Sequence, residues 1–264
     1  MVAQGHSISV ACRIAGIDRK TYRYKRLRKA DDEKISAWLK QTSTQYTDYG
    51  FKKLYDMMRA QGMKYNHKRV YRLYCSLKLN LKVKPKKRLA PRTAVKLAQP
   101  SQPNECWSLD YMSDALMHGH RFRTANVIDD YNREAPDILV SYRLPAVKVT
   151  NWLDRIAKVK GYPLRIRVDN GPENISKHFN NWAQEHGIEI QYIQPGKPAQ
   201  NAYIERFNRT YRQAVLDKYI FRTLAEAKQL TKHWLEHYNL KRPHDALSGL
   251  SPVQFRLQHQ NSFL

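Results

Sequence analysis

The sequence has few cysteines and no long apolar segment. Cys12, Cys75 and Cys106 are the only cysteines among 264 residues, and their odd number and wide spacing are typical of reduced thiols rather than of a disulfide framework. Nowhere does an apolar run reach the roughly 18 residues that a membrane-spanning helix needs, and no secretory leader pattern is visible. We therefore expect a cytosolic protein without a membrane partner.

Acidic residues are also scarce. Lys and Arg number 47 against 23 Asp and Glu, which gives a formal charge of +24. Such an excess indicates a polyanionic partner, because nucleic acid is held largely by Lys and Arg contacts to phosphate. Nucleic acid is the leading candidate.

Residues 1–81 show helical periodicity and few strand signals, which predicts an all-helical region. The segment VACRIAGIDRKTYRYKR has a helix-turn-helix pattern in which Val10, Ile14 and Ile17 form the apolar side and Asp18 caps the second helix. That second helix would offer three cations to DNA phosphates, namely Arg19, Lys20 and Arg23.

A second helical pair follows in YGFKKLYDMMRAQG and NHKRVYRLYCSL. Asn66 is expected to cap the later helix. Its basic side chains would face phosphates, although an ordinary solvated helix face has the same pattern; they are Lys68, Arg69 and Arg72. Buried positions are expected at Leu54, Met57, Met58, Val70, Leu73 and Leu77.

Residues 82–103 are rich in Lys, Pro and Gln without periodicity, which indicates a basic linker. Residues 104–264 then alternate strand and helix patterns in the order three strands, helix, strand, helix, strand, helix, helix. Turn residues between the first three strands predict an antiparallel meander. The sequence therefore predicts an α/β domain with a mixed five-stranded sheet covered by helices.

Three carboxylates stand out in this domain. Asp110 lies toward the end of the first strand, Asp169 ends the fourth, and Glu205 lies on the helix that follows, with Arg209 and Arg212 on the same face. Together they could hold two Mg²⁺ ions, because Mg²⁺ takes oxygen ligands and is usually held by carboxylates plus substrate phosphate. Each acid taken singly is as readily a surface charge, and DNG is a common turn signal.

Other acids compete with these three. Asp129 and Asp130 are adjacent, so on a strand they would point to opposite faces, and we interpret them as turn-capping residues. Asp114 could lie behind Asp110, and Glu173 could cap the following helix or approach a metal through water.

Five segments carry a family resemblance: WSLDYMSDAL, VIDDYNRE, RVDNGPE, PGKPAQNAYIERFNRTYR and YNLKRPHDALSGLSP. With 35 residues between Asp169 and Glu205 (positions 170–204), they resemble the DDE transposase and retroviral integrase core. More narrowly, they are similar to the second-reading-frame (OrfB) transposases of the bacterial IS three family, and the resemblance covers nearly the whole chain. Two departures are Asn174, where an aromatic is common, and the extra basic residues Arg206 and Arg209.

The resemblance implies an RNase H-like integrase fold and a Mg²⁺-dependent polynucleotidyl transferase, with Mn²⁺ as a substitute. It implies that Asp110, Asp169 and Glu205 bind the metal, and that Arg212 replaces the basic residue seven positions after the glutamate. Lys197 and Arg206 join Arg209 and Arg212 as candidate DNA contacts. No zinc is expected, because His6, Cys12, His67 and Cys75 lack the integrase spacing.

Double-stranded DNA is the expected partner, both terminal inverted repeats and target, in the bacterial cytoplasm and nucleoid. The chain would act as a homodimer or higher oligomer, and a first-frame (OrfA) protein or fusion is a further possible partner. Two alternatives stay open at this point: an RNase H-like nuclease that cuts without joining, and a non-catalytic DNA-binding regulator of transposition.

Overall fold

The structure is a computed structural model that describes residues 5, 7–23, 30–82, 100–194 and 201–260. The chain forms two compact units. The first comprises Met1–Tyr46 and Asn66–Asn80, and the second comprises Thr47–Tyr65 and Leu81–Leu264. Most of the predicted linker, residues 83–99, lies outside the described residues.

The first unit is helical in its described part, as the periodicity predicts. Its helices are α1 (Ile8–Ile14), α2 (Arg19–Arg23), α3 (Ala30–Gln45) and α5 (His67–Ser76). Asn66 caps α5 as expected, because its side-chain Oδ1 accepts from the Lys68 backbone N–H at 2.9 Å. Val70 and Leu73 of α5 are buried and Leu77 is half-buried, which confirms the apolar stripe.

The apolar side predicted for α1 is wrong. Val10, Ile14 and Ile17 are exposed by 42%, 61% and 45%, whereas Ala11 and Cys12 are buried. The helix is only seven residues long and ends at Ile14, with Ala15 as its C-cap. So short a helix presents little surface, and its buried side chains are the small ones, Ala11 and Cys12.

The second unit begins with α4 (Phe51–Ala60), in which Leu54, Met57 and Met58 are buried as predicted. This assignment departs from the predicted boundary at residue 81. Two ion pairs join the α4 segment to the C-terminal part of the chain: Lys52 pairs with Asp245, and the Arg242 guanidinium lies 3.2 Å from the Asp48 carboxylate. Contacts distant in sequence decide the boundary here, and composition does not reveal them.

The elements of the rest of the second unit are β1 (Cys106–Ala115), β2 (Arg121–Asp129), β3 (Ile138–Ser141), α6 (Ala146–Lys160), β4 (Arg165–Val168), α7 (Lys177–Glu185), β5 (Glu189–Tyr192), α8 (Ala202–Tyr211), α9 (Leu224–Leu240) and α10 (Pro252–Gln260). They have the predicted order as far as α9, and α10 is an additional helix that was not predicted. Thr223 is the N-cap of α9, since its Oγ1 accepts from the Glu226 N–H at 3.2 Å, and Glu226 Oε2 accepts from the Arg222 N–H at 2.8 Å. Across the described ranges, no helix is long and apolar enough to cross a membrane.

The five strands form one mixed sheet in the order β3-β2-β1-β4-β5. The first three are antiparallel, and β4 and β5 run parallel to β1. This confirms the predicted meander and the mixed five-stranded sheet. Parallel strands need a crossover connection, which α6 and α7 supply.

Each face of the sheet is covered by a different pair of helices. On β1 and β2, side chains such as Leu109 and Val127 pack with α6 and α7. Side chains of the opposite face, such as Phe122 and Ile128, pack with α8 and α9. Because strand side chains alternate between faces, Asp110 lies on the face that α8 covers.

Candidate active site

Asp110 and Asp169 are brought together by the parallel pairing of β1 and β4. The last paired residues are Ser108 and Arg167, so Asp110 and Asp169 stand two residues further along at the same level. Asp169 directly follows β4, as predicted. Asp110 lies in the middle of the long strand β1 rather than toward its end, because β1 continues to Ala115 in pairing with β2.

The Asp110 carboxylate is half-buried and held by two donors. Its Oδ1 accepts from the Tyr111 N–H at 2.8 Å, and its Oδ2 accepts from Asn208 Nδ2 at 2.8 Å. Burial above all, together with the negative charges of Asp169 and Glu205, raises the pKa of Asp110 to about 6 against the opposing effect of these hydrogen bonds. Asp169 and Glu205 therefore both lie within electrostatic reach of Asp110.

Asp169 is fixed by the turn that follows β4. Its Oδ1 accepts from the Gly171 N–H at 3.1 Å and from Asn174 Nδ2 at 2.8 Å. Asn174 is fully buried, and its Oδ1 accepts from the Tyr111 hydroxyl at 3.1 Å. The departure at Asn174 thus has a structural use, because its amide ties the second aspartate to β1.

Glu205 lies in the first turn of α8 and is exposed. Arg206 and Arg209 are exposed beside it. Arg212 is the C-cap of α8, where its N–H still donates to the Asn208 carbonyl, and a π-helical turn runs from Arg212 to Leu216. The Arg212 guanidinium donates to the Ser113 carbonyl at 3.0 Å and lies 3.8 Å from Asp114 and 3.4 Å from Asp217.

The donor set suits a hard divalent cation, since it offers carboxylate oxygens whose mutual repulsion a cation would relieve. The arrangement is nevertheless not a finished ligand set. Among the described residues, no three His, Cys, Asp or Glu side chains are placed to hold a metal ion. Asn208 and Asn174 bond the Asp110 and Asp169 carboxylates, and Glu205 points into a solvent-exposed region of α8.

Comparison with known proteins supports this architecture. Two family models described as "Integrase core domain" match residues 100–198 and 186–252, and one described as "HTH-like domain" matches residues 29–88. An insertion element IS407 protein of 31.7 kDa from Burkholderia multivorans is 37% identical over 250 residues, covering 95% of this chain and 90% of its own length. The chain belongs to the IS three family of OrfB transposases.

Other relatives agree. The putative transposase InsK for insertion sequence element IS150 of Escherichia coli is 26% identical over 271 residues, which cover 97% of this transposase and 95% of the relative. A chain in the simian T-cell lymphotropic virus intasome with PP2A regulatory subunit B56 gamma superposes with a TM-score of 0.53 at 17% identity, covering 83% of this chain and 73% of its own. The latter likeness shows the fold alone.

The other acids of the transposase that were considered as metal ligands bond to different partners. Asp129 caps a turn as predicted, since its Oδ1 accepts from the Tyr131 N–H at 2.8 Å, and its Oδ2 accepts from the Asn104 N–H at 2.8 Å. For Asp130 the structure gives other partners than a turn. It is fully buried, bonded by the Ser108 hydroxyl at 2.7 Å and by Arg167 at 2.5 Å. Glu173 pairs with Arg123.

The predicted DNA contacts of the helical unit fall into two groups. Arg69 and Arg72 are engaged by acids of α3: Arg69 lies 2.6 Å from Asp32 and 3.3 Å from Asp31, and Arg72 lies 3.1 Å from Asp32. The remaining candidates are exposed, namely Arg19, Lys20, Arg23 and Lys68. Lys197 lies outside the described residues.

Sequence reasoning missed Asn208 and Asn126. The Asn208 amide donates to Asp110 and accepts from Asn126 Nδ2 of β2 at 2.7 Å, so the two asparagines connect α8 to both central strands. One signal for Asn208 was present in the sequence: it stands three residues after Glu205, which places it on the same side of the helix. Asn126 gives no such signal, because its role depends on the pairing of β1 with β2.

Proposed function

We propose that this transposase cuts a DNA strand at the end of an insertion sequence and joins the freed 3′ end to a second site. In the first step, water attacks a phosphodiester phosphorus and the bond to the 3′ oxygen breaks. In the second step, the released 3′ hydroxyl attacks another phosphodiester, so that one phosphorus–oxygen bond forms as another breaks. The observation that supports this reaction most is the convergence of Asp110 with the charges of Asp169 and Glu205 in a chain of this family.

We propose Asp110, Asp169 and Glu205 as the residues that hold divalent metal, Mg²⁺ by preference and Mn²⁺ as a substitute. Two bound ions would supply Lewis-acid stabilisation of the attacking and leaving oxygens. The chain itself orients the acids. Asn208 holds Asp110 from α8, and Gly171 and Asn174 hold Asp169 from the turn after β4.

The exposed Arg206 and Arg209 are proposed to bind DNA phosphates next to Glu205, since guanidinium groups form paired hydrogen bonds to phosphate oxygens. Arg212 is proposed to orient the end of α8 against β1 in addition to contacting DNA, because its guanidinium already bonds the Ser113 carbonyl. The exposed cations of the helical unit would contribute a salt-dependent, sequence-independent share of duplex binding.

The test uses labelled duplexes that carry the terminal repeats of the element encoding this chain. With Mg²⁺ or Mn²⁺, we expect both nicked and joined products, and with a chelator we expect neither. Hydrolysis of an RNA/DNA hybrid without joining would instead support the RNase H-like nuclease. Duplex binding that persists after Asp169→Asn, with neither nicking nor joining by the unaltered chain, would support the regulator.

Pairing of two element ends leads us to propose a dimer or higher oligomer on DNA, acting on nucleoid DNA in the cytoplasm, with a first-frame protein or fusion as a further partner. Light scattering of the chain with one and with two end duplexes checks the oligomer. A single chain per pair of ends would contradict that part of the proposal.

A further inference from the structure

A cavity of about 110 Å³ lies in the second unit beside α8. Tyr203, Arg206 and Thr210 of α8 line it. At about 100° per residue, Tyr203 and Thr210 lie on the side of α8 roughly opposite to Glu205 and Asn208, and Arg206 lies between the two sides. The cavity is therefore separate from the carboxylate site, although the same helix carries both.

Four cationic side chains line this cavity, namely Lys53, Arg133, Arg206 and Arg242, and Asp245 is the acid in its lining. Asp48, 3.2 Å from Arg242, offsets one of these cations, and Asp245 pairs with Lys52, which is not in the lining. The four cations still outnumber these two acids, so the cavity carries an excess of positive charge.

Arg133 is the most unusual of these cations. It is only 9% exposed, and its Nη1 has no hydrogen-bond partner among the described residues. The guanidinium stacks 3.5 Å from the ring centroid of Tyr203, and the backbone adopts a left-handed conformation with φ of 62°. An unpaired buried donor is costly, so the Nη1 atom points to a missing acceptor.

Burial and the positive charge of the cavity lower the pKa values of two groups in its lining. Burial and the proximity of Arg242 lower the pKa of Lys53 to about 8. Burial lowers the pKa of His244 to about 3, and the charges of Arg242, Lys53 and Arg133 act in the same direction. An anion in the cavity would relieve this crowding of like charges.

We propose that this cavity, here named the α8 basic pocket, binds a phosphate group of the DNA backbone. The pocket offers guanidinium and ammonium donors, which match phosphate oxygens. Its volume far exceeds the ~10–15 Å³ that one ordered water needs. The proposal rests on the proposed function in one respect, that DNA is the substrate; it adds that DNA is held on two sides of α8.

The test measures DNA binding by the full chain in the presence of a chelator, so that cleavage and joining play no part. A set of end duplexes carries one uncharged methylphosphonate linkage at successive positions. For the unaltered chain, each position whose phosphate is contacted should weaken binding roughly 5- to 10-fold, as loss of a single phosphate contact does. In Arg133→Gln, binding should be weaker by a similar factor, and the methylphosphonate at one or two of those positions should then have no further effect.

Lys53→Gln provides a second variant that does not disturb the buried arginine, and it should behave in the same way with a smaller change. Lys158→Gln removes one exposed charge from α6 and is the matched control. It should leave the sensitive positions as they are in the unaltered chain. Circular dichroism of each variant establishes that it is folded.

Methylphosphonate effects of equal size in the unaltered chain, Arg133→Gln and Lys53→Gln would overturn the proposal. A second pair of results would also overturn it: inorganic phosphate stabilises the unaltered chain thermally but neither variant, while the methylphosphonate effects are the same in all three. The pocket would then bind a free anion rather than DNA. If the end duplexes bind as expected but are neither nicked nor joined with metal, the proposed reaction is rejected, whereas the proposal that the α8 basic pocket binds a DNA phosphate is retained.

Discussion

Asn208 is the residue on which the geometry of the carboxylate site depends most. Its amide joins Asp110 on β1 to Asn126 on β2, and it lies one turn of α8 from Glu205. It is buried to 8% exposure. Any loss of this amide would release Asp110 and loosen the helix that carries the third acid.

We expect Asn208→Ala to reduce strand joining by at least about tenfold while duplex affinity changes less than twofold. The loss of two buried hydrogen bonds should also lower the free energy of unfolding by about 1–3 kcal/mol. Gel assays of joined product and urea denaturation measure the two effects. Asn151→Ala, an exposed position of α6, is the control, and joining by Asn208→Ala at the unaltered rate would contradict the role assigned to the amide.

Gly171 allows the Asp169 carboxylate to fold back onto its own turn. A Cβ atom at this position would lie 2.9 Å from Asp169 Oδ1 and 3.3 Å from Glu173 Oε2. Gly171→Ala should therefore displace the carboxylate and strongly reduce nicking, with a modest stability cost of about 1–3 kcal/mol.

Gly50→Ala is the matched control for that change, since a Cβ there would meet only Leu81 at an ordinary 3.8 Å. Nicking assays and thermal denaturation compare the two variants. Equal nicking by both would show that the close approach at Gly171 has no bearing on the reaction.

His244 should make the second unit less stable in acid. Its pKa is lowered from an ordinary 6.5 to about 3, first by burial and then by Arg242, Lys53 and Arg133. In the unfolded chain His244 therefore binds a proton below about pH 6.5, whereas in the folded chain it binds one only below about pH 3. Stability attributable to this group is present above pH 6.5 and is lost as the pH falls, by about 2 kcal/mol between pH 7 and pH 5.

Urea denaturation followed by tryptophan fluorescence at pH 7, 6 and 5 measures this contribution. His244→Gln should lose less stability over that range than the unaltered chain, whereas His120→Gln, an exposed position, provides the comparison. An unchanged slope in His244→Gln would mean that the ring is protonated in the folded chain at pH 5.

At the scale of elements, α8 has one side buried in the core, another that carries Glu205 and Arg209, and a π-helical turn at its C-terminal end. Ile204, Phe207 and Tyr211 anchor it in the core, and Arg212, at the start of the π-helical turn, bonds the Ser113 carbonyl of β1. Such turns are frequent at functional sites. The result is that Arg209 faces solvent, whereas Arg212 is half-buried and bonded.

This difference predicts unequal effects of two similar substitutions. Arg209→Ala should weaken duplex binding roughly 5- to 10-fold and reduce the slope of log affinity against log salt by about 0.9. Arg212→Ala should change the slope less and lower thermal stability more, because it loses the Ser113 bond. Binding isotherms of both variants at several salt concentrations measure the two slopes. Arg143→Ala, which removes an exposed arginine, is the control. A larger slope change in Arg212→Ala than in Arg209→Ala would contradict this difference between the two arginines.

Elements were predictable from the sequence where the pattern is local. The alternation of Trp107, Leu109 and Tyr111 predicts β1, and the Thr223–Glu226 capping box predicts the start of α9, because each depends only on neighbouring residues. The bond from Arg212 to the Ser113 carbonyl was not predicted, because it joins residues distant in sequence. The amide bridge of Asn208 depends on register between strands, which no local pattern contains.

At the scale of the whole molecule, topology decides which acids are neighbours. Parallel pairing of β4 with β1 sets Asp169 beside Asp110, and α8 packs on the face that carries Asp110, where the charge of Glu205 acts on it. Their order along the chain and their family resemblance made these residues predictable as candidates. Their proposed role as one catalytic group stays a prediction.

The most direct test of that group is a comparison of single and double substitutions in the joining assay with Mg²⁺. Residues that act as one unit lose nearly all activity together, so a second substitution adds little. We predict that Asp110→Asn, Asp169→Asn and Glu205→Gln each abolish joining, that Asp110→Asn with Glu205→Gln is no worse than either alone, and that all bind end duplexes as the unaltered chain does. Joining within about tenfold of the unaltered rate by any one of the three single variants would contradict the account.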